Sequence, residues 1–481
     1  MKGPTVLSLP TFLAAVLTVL TALAAPSHAQ APGANAKPNI VYIVADDLGW
    51  KDAGYHGSDI KTPNIDKLAA EGARLEQFYA QPMCTPTRAC LMTGRYPLRY
   101  GLQTLVIPSG HTYGLPTDEW LLPQALKDAG YSTAIIGKWH LGHADPKFWP
   151  SQRGFDSQYG PLIGELDYFT HEQHGVVDWY RDNKKVIEEG YSTTLLGNAA
   201  VKLISELPAG NPLYLYLTFN APHTPYQAPQ DYLDQYKNIA DPSRRAYAAS
   251  ITAMDDQIGR VVDALAKKGL RNNTLIVFQS DNGGPRDARM TGEGDVKVVP
   301  CDNGPYRDGK GTVYEGGTRV CALVNWPGHV KAGVVDGMLH VVDMYPTLAK
   351  LAGASTAKCK PLDGVDAWST ISTGAPSPRT ELVYNVEVFR AGIRQGDWKL
   401  VWHAPLPARI ELFNIAKDPS EKNNVAAEHP DLVASLQKRA NELATASVRS
   451  TLLSAEMEAM MKRLKLPPAL PGAEFEFNVE P

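Results

Sequence analysis

Asn39-Ile-Val-Tyr-Ile-Val-Ala45 runs directly into Asp46-Asp47. An uncharged run of this length, rich in β-branched side chains, reads as a strand buried on both faces. Such strands belong to largely parallel sheets covered by helices. Three further runs have the same form. Ser132-Thr-Ala-Ile-Ile136 leads through Gly137 to Lys138-Trp-His140, Leu213-Tyr-Leu-Tyr-Leu-Thr-Phe219 leads through Asn220 to His223, and Thr274-Leu-Ile-Val-Phe278 runs into Ser280-Asp281-Asn282. Helical patterns lie between them. Thr62 to Gly72 has a start signal, apolar Ile65, Leu68 and Ala69, and a stopping glycine; Leu121 to Gly130 repeats that logic. Ala246 to Gly269 places Ile251, Met254, Ile258, Val261, Val262 and Leu265 on a 3.6-residue period. The alternation predicts an α/β fold with a large, mostly parallel sheet flanked by helices, whose ligands bind beyond the carboxyl ends of the strands. Each polar cluster falls there.

Outside this framework, Gly283 to Gly317 is a long loop region rich in glycine and charge, and a break follows at Ser372-Thr-Gly-Ala-Pro-Ser-Pro378. Beyond it, 391–402 and 410–414 read as antiparallel strands and 429–464 as helical, which predicts a smaller C-terminal α+β domain over 375–481. At the other end, Lys2 precedes an apolar stretch over 11–24, and Ser27 and Ala29 suit a cleavage site. Residues 1–29 therefore read as a signal peptide, 30–37 as a flexible tail and 38–374 as the main domain, which implies an exported protein, periplasmic or secreted, without stable membrane insertion. The 481 residues carry 47 Lys+Arg against 51 Asp+Glu, a formal charge of −4, which argues against a nucleic-acid binder. With 44% hydrophobic and 20% charged residues the chain is of ordinary globular composition.

Asp46, Asp47, Asp281 and Asn282 form a hard, all-oxygen ligand set at two strand ends, suited to Ca²⁺ or Mg²⁺ rather than Zn²⁺. Arg88, Lys138 and Lys310, with His140 and His223, are of the residue types that surround a tetrahedral anion and move protons near it. Lys138 and His140 alternate on an extended segment, so both side chains can face one way. Nothing is spaced to complete a zinc site with His140 and His143. On its own residues, Cys84 is open between a thiolate activated by Arg88 and an inert neighbour of Cys90. With an odd number of cysteines, at least one is unpaired; Cys90, Cys301, Cys321 and Cys359 allow up to two disulfides in an oxidising compartment, with Cys90 favoured as simply packed.

Cys84-Thr85-Pro86-Thr87-Arg88 with Thr93-Gly94-Arg95, and Gly130-Tyr131-Ser-Thr133 through Gly137-Lys138-Trp139-His140-Leu141-Gly142, resemble the two signatures of the type I sulfatases of the alkaline phosphatase superfamily. Ala45-Asp46-Asp47-Leu48-Gly49, Ala221-Pro222-His223-Thr224-Pro225, Ser280-Asp281-Asn282-Gly283-Gly284 and Lys310-Gly311-Thr312 with Glu315-Gly316-Gly317 match in the expected order. Gly54-Tyr-His-Gly57 and Lys61-Thr-Pro-Asn-Ile-Asp66 look closest to the arylsulfatase B group. The resemblance implies an alkaline-phosphatase-like sulfatase fold and a sulfuric ester hydrolase acting on an aryl or sugar sulfate. It also implies that Cys84 is oxidised to Cα-formylglycine before folding, by a formylglycine-generating or anaerobic sulfatase-maturing enzyme. Asp46, Asp47, Asp281 and Asn282 would hold Ca²⁺, which also contacts the gem-diol from Cys84. Arg88 would help activate that diol, Lys138 would bind sulfate oxygens, His223 and Lys310 would assist the leaving oxygen, and His140 would take the proton that lets sulfate depart. Two rival readings remain: a phosphoester or phosphonate hydrolase of the same superfamily, and a catalytically silent protein that binds sulfated glycans. Loops 160–191 and 286–306 are expected to shape the pocket, with Glu165, Asp167, Tyr168, His171, His174 and Trp179 as open candidates for reading a sugar.

Overall fold

Asn39–Ala45 forms strand β1, and every one of its residues is buried. The computed structural model describes residues 1–5, 37–287 and 298–464. The signal-peptide stretch from residue 6 onward and the tail up to residue 36 lie outside the described residues. Around β1 is a ten-stranded sheet comprising β2 (Ala73–Leu75), β3 (Ser132–Gly137), β4 (Ser157–Gly160), β5 (Tyr180–Arg181), β6 (Lys184–Lys185), β7 (Leu213–Thr218), β8 (Thr274–Ser280), β9 (Ala322–Asn325) and β10 (Gly333–Val335). The strand order is β10-β2-β9-β8-β1-β7-β3-β4-β5-β6. The five central strands, β8 to β4, are mutually parallel, while β9 and β5 join them antiparallel. The four apolar runs are thus adjacent strands. Their register is level as well: Ala45 lies opposite Ser280, Val44 opposite Thr218, and Thr218 opposite Gly137. The residues that follow these strands therefore emerge side by side.

Period-two alternation along β1 assigns its side chains to two cores. Ile40, Tyr42 and Val44 face one side with α2 (Cys84–Thr93), α3 (Leu122–Asp128) and α6 (Met344–Ala352). Val41, Ile43 and Ala45 face the other with α1 (Pro63–Ala70), α4 (Ser192–Glu206) and α5 (Pro242–Lys267). The helix expected from Ala246 starts a turn earlier, because Asp241 caps it by accepting from Arg244 N at 2.7 Å and Pro242 fits its first turn.

The C-terminal strands form an antiparallel meander, β11 (Glu381–Glu387), β12 (Arg390–Gln395), β13 (Trp398–His403) and β14 (Arg409–Asn414). Its first strand was not legible as a strand. The helical pattern over 429–464 is two helices, not one: α7 (Pro430–Thr445) and α8 (Thr451–Arg463). Between them the backbone turns aside to hydrogen-bond another segment, Val448 N to Leu98 O and Thr451 N to Gly101 O, both at 2.9 Å. The Ser450 side chain then caps α8. Val383, Ile393, Leu400, Leu412 and Leu436 belong to the same apolar cluster as α2 and α3. Among the described residues no helix is long and apolar enough to cross a membrane.

Candidate active site

The ends of three β-strands and one helix start supply the centre of the site. Cys84 is the first residue of α2, a helix buried along its whole length, and its Sγ donates to Asp46 Oδ1 at 3.4 Å. Arg88 lies one turn further on the same face. Its Nε and Nη2 both donate to Asp281 Oδ2, at 3.2 and 2.9 Å, and its Nη1 donates to the Lys138 carbonyl at 2.9 Å. One guanidinium thus ties together the ends of β8 and β3. Lys138 Nζ donates to Asp46 Oδ2, and Lys310 Nζ to Asp47 Oδ2 at 2.6 Å. Three buried carboxylates are therefore matched by three buried cations.

The turns after the strands aim these groups. Gly137, at φ 113, ends β3; a Cβ there would lie 1.8 Å from the Thr218 carbonyl oxygen, so only glycine lets Lys138 enter the site at this point. Asp47 and His140 adopt the left-handed conformation, with φ 65 and 58. Tyr168 is buried, and its hydroxyl donates to the Asn220 and His223 carbonyls at 2.9 and 2.8 Å, which holds the turn after β7. Thr85 acts similarly on the other side: its Oγ1 donates to the His140 carbonyl at 3.0 Å and accepts from Ile107 N at 3.2 Å. Thr85 stands inside the Cys84–Arg88 motif, but no sequence pattern marks this bridging task, which joins backbone groups far apart in the chain.

The histidine tautomers follow from their partners. His223 Nδ1 is 2.7 Å from the Thr224 carbonyl, which can only accept, so Nδ1 carries the hydrogen. Nε2 is left to accept from Lys310 Nζ at 3.1 Å. His140 Nε2 donates to the Ile107 carbonyl at 3.2 Å, leaving a buried Nδ1 with no hydrogen-bond partner. Burial, then Lys138 and Arg88, pushes the His140 pKa well below 6.5, so the ring is neutral.

Burial alone would raise all three carboxyls. At Asp46 it is outweighed by Lys138, His223 and Arg88, and at Asp47 by Lys310 and His223, so both lie below the ordinary carboxylate value. Asp281 lies above it, because burial and the neighbouring Asp46 charge exceed the effect of Arg88. Burial, followed by Asp281, pushes the Cys84 thiol well above 9.0. Arg88 is turned to Asp281 rather than to Cys84, so the reading of Cys84 as an Arg88-activated thiolate does not hold for the encoded thiol.

Ligand atoms of Asp46, Asp47, Cys84 and His223 lie within 4.8 Å of one another. Asp281 stands outside that tight group: Arg88 holds its Oδ2, and its Oδ1 accepts from Asp47 N at 3.2 Å. Asn282 Nδ2 donates to Asp47 Oδ1 at 2.7 Å, while its Oδ1 is buried and accepts no hydrogen bond. A cluster of acidic oxygens with one orphaned amide oxygen fits a hard divalent cation.

Cys84, His140, His223 and Lys310 open onto a cavity of about 280 Å³, which Glu165 and Gln173 also line. The 160–191 loop therefore does shape the pocket, with Gly164 packed so closely that a Cβ would sit 2.4 Å from His140 Cε1. Of the sugar-reading candidates, Glu165 alone lines this cavity. Asp167 accepts from Phe169 N, Thr170 N and Gln227 Nε2, and His171 stacks on Trp179, whose indole donates to Glu188. These are supports of the loop; His174 is exposed. All five cysteines are free thiols. The two disulfides that were open from the sequence are not formed: Cys90 and Cys321 are packed in separate cores, Cys301 Sγ donates to Pro285 O at 2.9 Å, and Cys359 pairs with the Tyr345 hydroxyl.

An alkaline-phosphatase-like sheet with an anion cage and an acidic cluster at its carboxyl edge defines the class. Comparison with known proteins gives the family. The sulfatase family profile matches residues 38–354, and the C-terminal profile of N-sulphoglucosamine sulphohydrolase matches 306–446. Arylsulfatase J of Mus musculus is 35% identical over 84% of this chain and 75% of its own. N-acetylgalactosamine-6-sulfatase of Homo sapiens is 33% identical over 75% and 71%. The crystal structure of Ps i-CgsB in complex with k-i-k-neocarrahexaose is 34% identical and superimposes with a TM-score of 0.79 over 90% of this chain and 98% of that one. The chain belongs to the type I sulfatase family and is a sulfuric ester hydrolase.

Proposed function

We propose that this enzyme releases inorganic sulfate from sulfated sugars, using formylglycine derived from Cys84, with Ca²⁺ held by Asp46, Asp47, Asp281 and Asn282. The observation that carries the reading is the placement of Cys84: its side chain faces Asp46 inside a ring of cations, yet burial pushes its thiol well above the ordinary value, away from the thiolate form. Conversion of that thiol to an aldehyde that hydrates would supply a hydroxyl nucleophile and a route for sulfate to leave. Bound Ca²⁺ would supply positive charge beside it, and with three carboxylates already matched by Arg88, Lys138 and Lys310, that charge would remain available to an anionic ester.

The chain's own residues divide the remaining work. Lys138 and Lys310 bind the sulfate oxygens as point charges, and Arg88 holds Asp281 and the Lys138 backbone in place. His223, with Nδ1 fixed on Thr224 O, presents Nε2 beside Lys310 Nζ, where a proton can pass to the departing oxygen. His140, neutral and with its Nδ1 unpartnered, is placed to accept a proton at the same cavity. A sugar substrate is supported by the carbohydrate sulfatases among the relatives and by the oligosaccharide in the superimposable structure. The apolar stretch over 11–24 behind Lys2 supports export, and the maturing enzyme would act on Cys84 before folding buries it.

The test is to express the chain in a host with the formylglycine-generating enzyme. The Cys84 peptide is then examined by mass spectrometry, and sulfate and phosphate release are measured in parallel. The reading requires an aldehyde at Cys84 and dominant sulfate release from sugar esters. An intact thiol in an active preparation, or dominant phosphate release, would refute it.

A further inference from the structure

A second cavity, about 1160 Å³, adjoins the one that holds Cys84; Met83 and Pro108 line both. It is roughly four times as large, and a cavity of a few hundred cubic ångströms takes only a small ligand. One wall is Leu105 and Pro108; the other comes from the C-terminal sheet, where Phe389 sits in the β11–β12 turn, Pro405 and Pro407 sit in the β13–β14 connection and Arg409 opens β14. Its lining includes large apolar side chains held out in solvent: Phe389 is 49% exposed and Leu105 50%. Apolar side chains gathered beside a polar site mark a binding surface rather than ordinary solvent-facing chain.

The charges of the cleft are unevenly committed. Of its two carboxylates, Glu387 accepts from Arg390 Nε at 2.9 Å through one oxygen while its Oε2 is buried without a partner, and Glu456, 60% exposed, lies 3.0 Å from His111 Nε2. Arg390 is spent in turn on Glu387 and the Gly311 carbonyl. Among the described residues of the cleft, two guanidiniums remain open to solvent. Arg409 is 58% exposed, with one nitrogen on the Tyr314 hydroxyl at 3.2 Å and another 3.5 Å from Glu411, and Arg286, 41% exposed, lies 3.9 Å from both Asp287 and Asp308. Aromatic and aliphatic faces with open guanidiniums fit a ring that shows C–H faces and carries an anion.

The geometry points to a second sugar subsite in this cleft, in which Phe389 covers the ring next to the one being desulfated and Arg409 binds a sulfate or carboxylate on it. The enzyme then acts on sulfated oligosaccharide chains in preference to single sulfated sugars. This rests on the proposed sugar sulfatase activity and adds chain-length selection from the C-terminal sheet.

Binding separates the two. In a full-length Cys84→Ala variant, which holds substrate without turning it over, titration calorimetry is run with carrageenan and chondroitin sulfate hexasaccharides and with the matching sulfated monosaccharides. The tighter hexasaccharide should bind at least about tenfold better than its monosaccharide, and adding Phe389→Ala or Arg409→Ala should remove most of that gain. Equal affinity for the two lengths, a gain that survives both substitutions, or no binding of any sugar overturns the subsite. Sulfate release by the wild-type enzyme stands apart from these outcomes and judges the sulfatase reading alone.

Discussion

At the residue scale, the site depends on groups that hold other groups. Thr85 follows Cys84 and ties the His140 backbone to that of Ile107, so it fixes the segment that presents the unpartnered His140 ring. Thr85→Val keeps the volume and removes both hydrogen bonds, leaving a buried amide without a partner. We expect kcat to fall by about tenfold with little change in KM, a loss of roughly 1–1.5 kcal/mol at a positioning contact. Aldehyde content at Cys84, measured on the same preparation, must match that of the wild type for the comparison to count. The carboxylates, cations and histidines gathered at this site were legible in the sequence because most follow a strand end or lie in the first turns of α2; Lys310 lies instead in the long loop before Glu315. Thr85 and Tyr168 were not, because their tasks are hydrogen bonds to backbone groups 55 residues away.

At the element scale, the segment that carries Lys310 is anchored to the C-terminal sheet by a buried ionic network. Glu315 accepts from Lys399 Nζ at 2.8 Å, Tyr384 at 3.1 Å and Tyr79 at 2.7 Å. Lys399 Nζ also lies 2.8 Å from Glu421, whose other oxygen accepts from Glu315 N at 2.7 Å. Two carboxylates share one ammonium. Burial raises both, but Lys399, Arg319 and Arg394 hold Glu315 down to about 2, while burial, only partly offset by Lys399 and joined by the Glu315 charge, pushes Glu421 up to about 7. Between 4.5, its ordinary value, and about 7 the folded state keeps a proton on Glu421 that the unfolded state has lost, so stability falls as pH rises through that window. Glu421→Gln mimics the protonated form and should flatten this decline; melting temperatures from pH 5 to pH 8 measure it, and parallel curves for the two proteins would contradict it. Lys399→Met should cost about 3 kcal/mol, because it removes the buried ammonium that Glu315 and Glu421 share. Denaturant unfolding reads that loss.

At the scale of the whole molecule, the apolar cluster around α2 and α3 includes Val383, Ile393, Leu400 and Leu412 from the C-terminal meander. Removing the meander would expose that side of α2, the helix that begins with Cys84. A chain ending at residue 375 should therefore fail to give soluble, monomeric protein, whereas the full chain should unfold in one transition. Size-exclusion chromatography and calorimetry test this, and a soluble, folded truncation would show that the larger part is independent.

The strands and their chemistry were set by local sequence. Continuous apolar runs demand burial on both faces, and polar residues at their carboxyl ends then fall on one edge of a parallel sheet. The helical pattern over 429–464 misled, since periodicity does not register that Val448 and Thr451 find better partners in the 98–101 backbone. The fate of the thiols, the pairing of Asp281 with Arg88 and the cleft between Leu105 and Phe389 were decided only by tertiary structure. Each depends on contacts between segments far apart in the chain, and burial, which sets both protonation and shape, is a property of the packed molecule rather than of any stretch of it.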